Sequence, residues 1–442
     1  MSEQAQENPL PGIKNKAVID TRWPNAWAVL SSSKPPESAL LLKDSKAFTL
    51  IVNGIHVTSC YDHEYEAKVQ TDNVPQGGEF AAVYGVGSGA IQRQLLARPE
   101  IKKLVVFVMS RTVDFGCMVF FDHSDWLADP RVDFALACQL KEVYGPVTVY
   151  PSAMLFADDD CARTRDILLT ELLQKSQIQN HSDQRNFYLE RIASLQDWFK
   201  VDLDVELLRG RYDNKGAICC LGGPTLADQY DWIKENREKN IVVCASTSLL
   251  PLLNNGITPN FVMIVDSGED NLRHFHGICM EWTWLCNLVY MPTIYNKIRE
   301  SWPGPAWGFY IGEPAMEGIR AEMPRTNLHC GGSVAHPLVD FAVLLGCQDL
   351  YLLGADFCFP GSKSHVDGAT YKTEIAMAPG RPWVFNGNGE KSPSDFNLVT
   401  YLRRLEHYIL QHKELRWWKL GKEGATMEGV SWIDSTPQKR LS

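Results

Sequence analysis

Short apolar runs alternate with amphipathic segments between residues 216 and 266, and this is the clearest pattern in the chain. The runs 217–221, 241–245 and 261–265 are rich in Ile, Val, Phe and Cys, which is typical of strands buried on both faces of a parallel sheet. The segment 226–233 between the first two runs has apolar residues at helical spacing. The pattern therefore predicts two successive strand–helix–strand units.

A glycine turn, Gly222-Gly223-Pro224-Thr225, follows the first predicted strand. Glycines let backbone N–H groups approach a ligand closely, proline suits the first turn of a helix, and a helix N-terminus favours an anion. The turn lacks the spacing of the two common phosphate-binding motifs, so a tight connection alone would also explain it. The residues downstream favour a phosphate site.

Two acids and a second glycine turn accompany the first turn. Asp266 and Asp356 each follow an apolar run, and Gly332-Ser333 precedes a helix-like segment over 334–345. Open α/β sheets bind ligands at the carboxyl ends of their strands. We therefore expect both turns and both acids to converge on one crevice.

The order of these motifs resembles the motility accessory factor (Maf) family of flagellin glycosyltransferases, within the superfamily that also contains MptE-like 6-hydroxymethylpterin diphosphokinases. The resemblance rests on GGPTL, CASTSLLPLLNNGITPNFVMIVD and CGGSVAHPLVDFAVLLGCQDLYLLGADF, and it covers residues 210–370. The family core also resembles bacterial sialyltransferases, whose related turn has serine where this chain has Thr225. The resemblance implies a transferase that moves pseudaminic or legionaminic acid from its CMP conjugate to Ser or Thr hydroxyls of flagellin.

The same resemblance suggests which residues form the site. His365, which matches the family's loop histidine, is the first candidate for the base that takes the acceptor's proton, with His329 and His336 next, because imidazole titrates near neutral pH. Asp356 is also assigned to the catalytic set. The donor itself supplies the leaving phosphate, so no metal is expected, although Mg²⁺ would be compatible. The predicted nucleotide-binding residues are Gly222, Gly223, Pro224, Thr225, Ser246, Thr247, Asp266, Gly332 and Ser333.

Composition excludes several classes of protein. The chain has 442 residues, 45% of them hydrophobic, which supports two or three globular domains rather than disorder. Its net charge of -10 comes from acids and bases spread along the chain, without a basic stripe for nucleic acid or an anionic membrane. The polar start resembles no signal peptide, no apolar run is long enough to span a bilayer, and the twelve cysteines form no C-x-x-C pair. We expect a cytoplasmic protein.

The N-terminal part predicts a second, weaker nucleotide-type fold. Residues 15–75 alternate in short runs and predict a small β-rich cap. From residue 80 an α/β pattern returns, and Gly85, Gly87 and Gly89 follow a predicted strand without the dinucleotide spacing. The next strand ends without an acid, so we interpret this domain as a degenerate Rossmann unit kept for packing.

Four segments follow from these patterns. An α/β domain with its cap spans 1–160, and a helical connector in two segments about a turn at QIQNHSD spans 161–213. The Rossmann-like domain spans 214–360, and 361–442 holds a lid loop and a helix over 395–420. The aperiodic stretch 358–397 is the predicted lid.

The sequence does not decide the roles of several residues near the predicted crevice. His274 and His276 alternate, but no third ligand at a recurrent spacing supports a metal site. Arg273 or one of these histidines would suit a sugar carboxylate. Trp302 and Trp307 fit either a sugar platform or a core anchor.

Two other functions stay compatible with the sequence. A pterin diphosphokinase would need ATP and Mg²⁺, for which Asp266, Glu269, Asp270 and Asp356 are candidate ligands, but no lysine lies near the first glycine turn. A non-catalytic assembly protein would bind the nucleotide sugar without turnover. Only about 75 residues follow Ala369, fewer than in many Maf proteins, so the acceptor is flagellin or another protein.

Overall fold

The computed structural model describes residues 10–33, 39–42, 47–140, 143–183, 185–312, 316–370, 374–375 and 381–433. The chain forms two compact units, Met1–Leu173 and Gln174–Ser442, which divide inside the predicted connector. No helix in these ranges is both long and apolar enough to cross a membrane.

The first unit contains two sheets and short helices. Its strands are β1 (Ala39–Leu42), β2 (Thr49–Val52), β3 (Ile55–His56), β4 (Phe80–Tyr84), β5 (Lys103–Val108), β6 (Val132–Leu136) and β7 (Val147–Val149). Its helices are α1 (Pro11–Arg22), α2 (Ala26–Ser31), α3 (His63–Thr71), α4 (Ala90–Leu96), α5 (Arg111–Phe120), α6 (Ser124–Ala128) and α7 (Pro151–Leu155). Strands β6-β5-β4-β7 form a parallel sheet, and β1-β2-β3 form an antiparallel one.

The prediction of a β-rich cap is wrong for part of residues 15–75, because α1 and α3 occupy stretches that alternate like strands. Pro11 stands at the start of α1, where its fixed φ suits a helix. The side chain of Asp62 accepts a hydrogen bond from the Tyr65 amide and caps α3. These local signals outweigh the short alternating pattern.

Tyr150 fills the glycine turn after β4. Gly87 has a φ of 56°, and a Cβ atom there would lie 2.2 Å from the Tyr150 ring. The Tyr150 hydroxyl accepts from the Ile91 amide at 3.3 Å, in the first turn of α4, and donates to Gln92 Oε1 at 3.1 Å. The ring thus takes the space above the turn, in agreement with a Rossmann unit kept for packing.

Like Tyr150, Asp114 of α5 makes contacts that a ligand would make at this edge of a nucleotide-binding sheet. Its buried carboxylate accepts from the amides of Val86, Met109 and Ser110 at 2.9–3.2 Å, and burial raises its pKa to about 6. A carboxylate of the chain therefore satisfies the amides at the ends of β4 and β5.

Gly87→Ala is expected to destabilise the first unit by about 3 kcal/mol for two reasons: alanine is strained in the left-handed backbone conformation of this residue, and its methyl group would clash with the Tyr150 ring. Gly77→Ala is the matched control: its φ of 78° is also left-handed, but nothing lies within 4 Å of a Cβ atom there. We expect it to cost about 1 kcal/mol. Urea unfolding measures both, and equal losses would contradict the packing role of Tyr150.

Two long helices lie around the division between the units: α8 (Ala162–Asp183) begins in the first unit and ends in the second, and α9 (Arg185–Val201) belongs to the second. The connector prediction placed a turn within the segment QIQNHSD, but α8 continues through these residues to Asp183. Their polar side chains were misinterpreted as a turn signal, although isolated Gln, Asn and Ser are tolerated within a helix. Gln184 itself lies outside the described residues.

The second unit is built on a nine-stranded sheet. The remaining strands are β8 (Leu203–Asp204), β9 (Gly216–Cys220), β10 (Asn240–Ala245), β11 (Phe261–Ile264), β12 (Asn287–Tyr290), β13 (Ala306–Gly308), β14 (Tyr310–Ile311), β15 (Asn327–Leu328), β16 (Asp349–Leu353), β17 (Trp383–Phe385), β18 (Lys391–Pro393), β19 (Arg416–Lys419) and β20 (Ser431–Trp432). The helices are α10 (Tyr230–Asn236), α11 (Ser246–Asn254), α12 (Met280–Leu285), α13 (Asn296–Glu300), α14 (Glu317–Glu322), α15 (Ala335–Leu344) and α16 (Phe396–Gln411).

All strands of the large sheet are parallel, in the order β20-β19-β16-β9-β10-β11-β12-β13-β8. This confirms the predicted Rossmann-like α/β fold. The chain runs outward from β9 through β10 to β13 and returns to the other side of β9 as β16. The switch point between β9 and β16 is where such sheets open a crevice.

The C-terminal segment belongs to the same sheet, which corrects the prediction of a lid and helix alone over 361–442. Strands β19 and β20 extend the sheet beyond β16, and α16 ends at Gln411 rather than continuing to Leu420. The predicted lid 358–397 contains the hairpin β17–β18, while 371–373 and 376–380 lie outside the described residues.

The two tryptophans pack within the second unit. Trp302 is 2% exposed, and Trp307 lies in β13, where its indole N–H donates to Asn287 Oδ1 at 3.0 Å. Both positions correspond to core anchors, the second of the two roles left open by the sequence.

Candidate functional site

The N-terminus of α11 forms the centre of the crevice. Strand β10 ends at Ala245 and α11 begins at Ser246, so Ser246 and Thr247 stand at the carboxyl edge of the sheet. The cap residue, Ala245, offers no side-chain acceptor for the first amides of the helix. Because these amides point out of the helix and carry its positive end, they suit an anion.

Gly222 places the glycine turn directly against α11. A Cβ atom at Gly222 would lie 2.6 Å from Thr247 Oγ1 and 3.4 Å from His365 Cδ2. The Val366 amide donates to the Gly222 carbonyl at 2.9 Å, which fastens the His365 loop to the turn. The structure thus brings together three predicted site residues from distant parts of the sequence.

A second imidazole lies beside this group. His274 Nδ1 is 3.2 Å from Ser246 Oγ, and the side chain is only 2% exposed. Burial lowers the pKa of His274 to about 4, with smaller effects from Arg273 and His365 nearby. Burial also lowers the pKa of His365. Both imidazoles are therefore neutral near pH 7 and suited to accept a proton.

Asp356 is bound to the glycine turn. Its carboxylate accepts from the Thr225 amide at 2.9 Å and from the Thr225 hydroxyl at 2.6 Å, and it is 2% exposed. Burial raises its pKa, against the effect of the nearby Lys419. The Gly223 amide donates to the Gly354 carbonyl at 2.9 Å. The amides of Thr225 and Gly223 therefore both donate to acceptors of the protein itself, and in this arrangement they do not bind a phosphate.

Lys419 completes the interior of this region. Its ammonium group donates to the carbonyls of Ala355 at 2.7 Å and Ala425 at 2.6 Å, and the side chain is fully buried. Gln229 connects the turn to the same strand by donating to the Leu420 carbonyl at 3.0 Å. The end of β16, the turn and the end of β19 are therefore held by one polar network.

Asp266 lies at the end of β11, two strands from the turn. Its side chain is exposed, yet desolvation by surrounding protein raises its pKa, as for a carboxylate in a concave surface. Burial and, to a smaller extent, the carboxylates of Asp395 and Asp266 raise the pKa of the Tyr401 phenol. A Cβ atom at Gly332 would lie 2.7 Å from the Tyr401 ring. Tyr401 therefore connects Asp266 with the second glycine turn.

The other predicted histidines pack behind that turn. His336 is buried, its ring nitrogens lie 3.2 Å from the carbonyl oxygens of Ser333 and Tyr401, and burial lowers its pKa to about 4. The His329 ring lies 4.8 Å from the Tyr408 ring. The Ser333 hydroxyl accepts from the Ala335 amide, at the start of α15, at 3.3 Å. These contacts give His329 and His336 packing roles between α15 and α16.

The sequence analysis missed Lys419 and gave His274 other roles. His274 was considered for a sugar carboxylate or a metal, but its pairing with Ser246 depends on the 3-10 helix Glu269–Phe275, which the sequence analysis did not predict. Lys419 stands in an apolar, tryptophan-rich run. A lysine at the end of a buried strand is a signal that would have identified it.

A known protein family matches the segment that holds Gly222, Thr247 and His274, while His365 and Lys419 lie beyond its end. Residues 188–362 match the family described as 6-hydroxymethylpterin diphosphokinase MptE-like. A solved structure of a Maf glycosyltransferase from Magnetospirillum magneticum AMB-1 is similar to 96% of this chain and 75% of its own, at 13% identity and a TM-score of 0.46. No curated protein matches the chain in sequence.

Proposed function

We propose that the crevice around Gly222, most of which lies in the segment that matches the MptE-like family, is the site of a glycosyltransferase that moves a nonulosonic acid from its CMP conjugate to a protein hydroxyl. One observation carries the proposal: the N-terminus of α11, Thr247 and the two imidazoles of His274 and His365 meet beside Gly222. A site for a leaving phosphate and a site for a proton acceptor are therefore adjacent.

The transfer follows from that adjacency. The acceptor's hydroxyl oxygen attacks the anomeric carbon, the bond from that carbon to the CMP phosphate oxygen breaks, and CMP leaves with the electron pair. His365 takes the hydroxyl proton as general base. The amides at the start of α11 and the Thr247 hydroxyl stabilise the phosphate of CMP. The scheme needs no metal, and the donor is the only nucleotide.

The rest of the edge supplies contacts for the sugar. Asp266 is exposed at the end of β11 and suits hydroxyl groups of the ribose or of the sugar. Arg273 lies next to His274 on the loop after β11 and would pair with the sugar carboxylate. Pseudaminic and legionaminic acids both carry this carboxylate, and flagellin Ser or Thr residues are the acceptors that the sequence resemblance favours.

A pterin diphosphokinase is the second candidate, and the description of the matched family favours it. The loop after β11 presents three exposed carboxylates, Asp266, Glu269 and Asp270, which are suitable ligands for Mg²⁺. Asp356, the fourth ligand considered from the sequence, is instead bonded to Thr225. The two functions therefore differ in whether nucleotide binding requires Mg²⁺.

Calorimetric titration with CMP, CDP, ADP and ATP, each with and without Mg²⁺, distinguishes the candidates. We expect CMP to bind without Mg²⁺ and Gly222→Val to weaken it by more than about tenfold, because the valine fills the space between Thr247 and His365. Gly318→Val is the control, since nothing lies within 4 Å of a Cβ atom there. Mg²⁺-dependent ATP binding with no response to CMP would overturn the proposal, and CMP binding without sugar transfer would indicate an assembly protein.

A further inference from the structure

Three side chains with metal-binding atoms meet in the first unit. The Sγ atoms of Cys138 and Cys161 and a carboxylate oxygen of Asp160 all lie within 4.8 Å of one another. In a tetrahedral zinc site, with metal–sulfur bonds of about 2.3 Å and metal–oxygen bonds of about 2.1 Å, ligand atoms are roughly 3.4–3.8 Å apart. Small side-chain rotations are therefore enough to bring all three onto one ion.

The backbone holds these ligands in place. Cys138 lies on the 3-10 turn Ala137–Gln139, and Asp160 and Cys161 lie on the turn Asp159–Cys161. The Thr164 hydroxyl donates to the Ala137 carbonyl at 3.1 Å, which fixes the first turn to α8. The ligands are thus positioned before an ion arrives, which reduces the conformational cost of binding.

Arg111 provides an outer partner for the carboxylate. Its Nη2 atom lies 3.0 Å from Asp160 Oδ2, and its Nε atom lies 2.7 Å from Asp158 Oδ2. Two thiolates and one carboxylate leave a divalent ion with a net charge of minus one, which a neighbouring guanidinium offsets. Hydrogen bonds from such outer groups orient metal-bound carboxylates.

The cluster is open on one side. Cys161 is buried, Cys138 is half-buried and Asp160 is exposed, and Arg111, the ion-pair partner of Asp160, lines a cavity of about 560 Å³ together with Asp158 and Asp159. We propose that Cys138, Asp160 and Cys161 bind one Zn²⁺ ion, with water as the fourth ligand. Paired thiolates favour Zn²⁺ over Mg²⁺ or Ca²⁺. The site joins the turn after β6 to the turn that precedes α8, independently of the proposed transferase chemistry.

Metal content and cobalt spectroscopy of the full-length protein test this site. We expect protein purified under reducing conditions without chelators to retain about one zinc per chain. Replacement by Co²⁺ should produce the absorption of thiolate-to-cobalt charge transfer. Cys138→Ser and Cys161→Ser should each weaken binding at least tenfold and reduce that absorption to about half at saturating Co²⁺, because each variant keeps one thiolate. Cys60→Ser, at another half-buried cysteine of the same unit, and Asp159→Asn should leave both unchanged.

Arg111→Gln separates a metal site from a chance cluster. Because glutamine leaves all three ligands in place but removes the outer partner, zinc affinity should fall by about tenfold while the cobalt spectrum persists. Wild-type protein that neither retains zinc nor develops the cobalt absorption would overturn the proposal. The proposal would also be overturned if the Cys138→Ser and Cys161→Ser variants bound the metal as tightly as the wild type does. A Cys138–Cys161 disulfide that persists under reducing conditions would overturn it as well.

Discussion

Replacement of His365 by alanine is expected to slow sugar transfer by about 10²–10⁴-fold, the usual contribution of a positioned general base. CMP affinity should change little, because the anion site that we propose consists of the amides of α11 and the Thr247 hydroxyl rather than His365. Single-turnover transfer, followed by mass spectrometry of the acceptor protein, measures the rate. The exposed His276, two residues beyond His274, provides the control variant His276→Ala.

The pH dependence of transfer gives an independent check on His365. A general base must be neutral, so the rate should fall as pH decreases through its pKa. Burial lowers that pKa from the ordinary value of 6.5, which places the inflection below pH 6.5. His365→Ala should lose this inflection. A large loss in His274→Ala with normal activity in His365→Ala would instead assign the proton transfer to the imidazole beside Ser246.

The central fold was predictable because its signals are local and repeated. Strands β9, β10 and β11 are continuous apolar runs, and such runs identify a parallel sheet wherever helices cover both faces. The acids and glycines at strand ends then follow from the topology, since parallel strands finish at one edge. That reasoning placed Gly222 at this edge, where the structure brings it beside Thr247 and His365.

The functions of individual site residues were less predictable, because they depend on which partner each side chain meets. Asp356 and Asp266 look alike in sequence, each following an apolar run, yet one is buried against Thr225 and the other faces the crevice. The amide of Gly223 is likewise engaged by a carbonyl from β16's end. Strand β19 was missed because its residues continue the helical stripe of α16 without a strong breaker.

Lys419→Met is expected to destabilise the second unit by about 3 kcal/mol, because it removes one partner of a buried charged network. The Lys419 ammonium holds the Ala355 and Ala425 carbonyls and faces the Asp356 carboxylate, so methionine leaves these groups unsatisfied. Urea unfolding measures the loss. Lys422→Met, at an exposed lysine three residues further, should change stability by less than about 0.5 kcal/mol.

The double variant Asp356→Asn, Lys419→Met tests whether the two side chains act together. Its loss of unfolding free energy should be smaller than the sum of the losses of the two single variants. Burial lowers the pKa of Lys419 from its ordinary value of 10.5 to about 8. Between these values the unfolded chain holds more protons than the folded protein, so the stability of the wild type relative to Lys419→Met should rise with pH. A deficit that is independent of pH across this window would show that the pKa of Lys419 is not lowered in the fold, as for a side chain exposed to water. Additive losses would show that Asp356 holds the glycine turn without it.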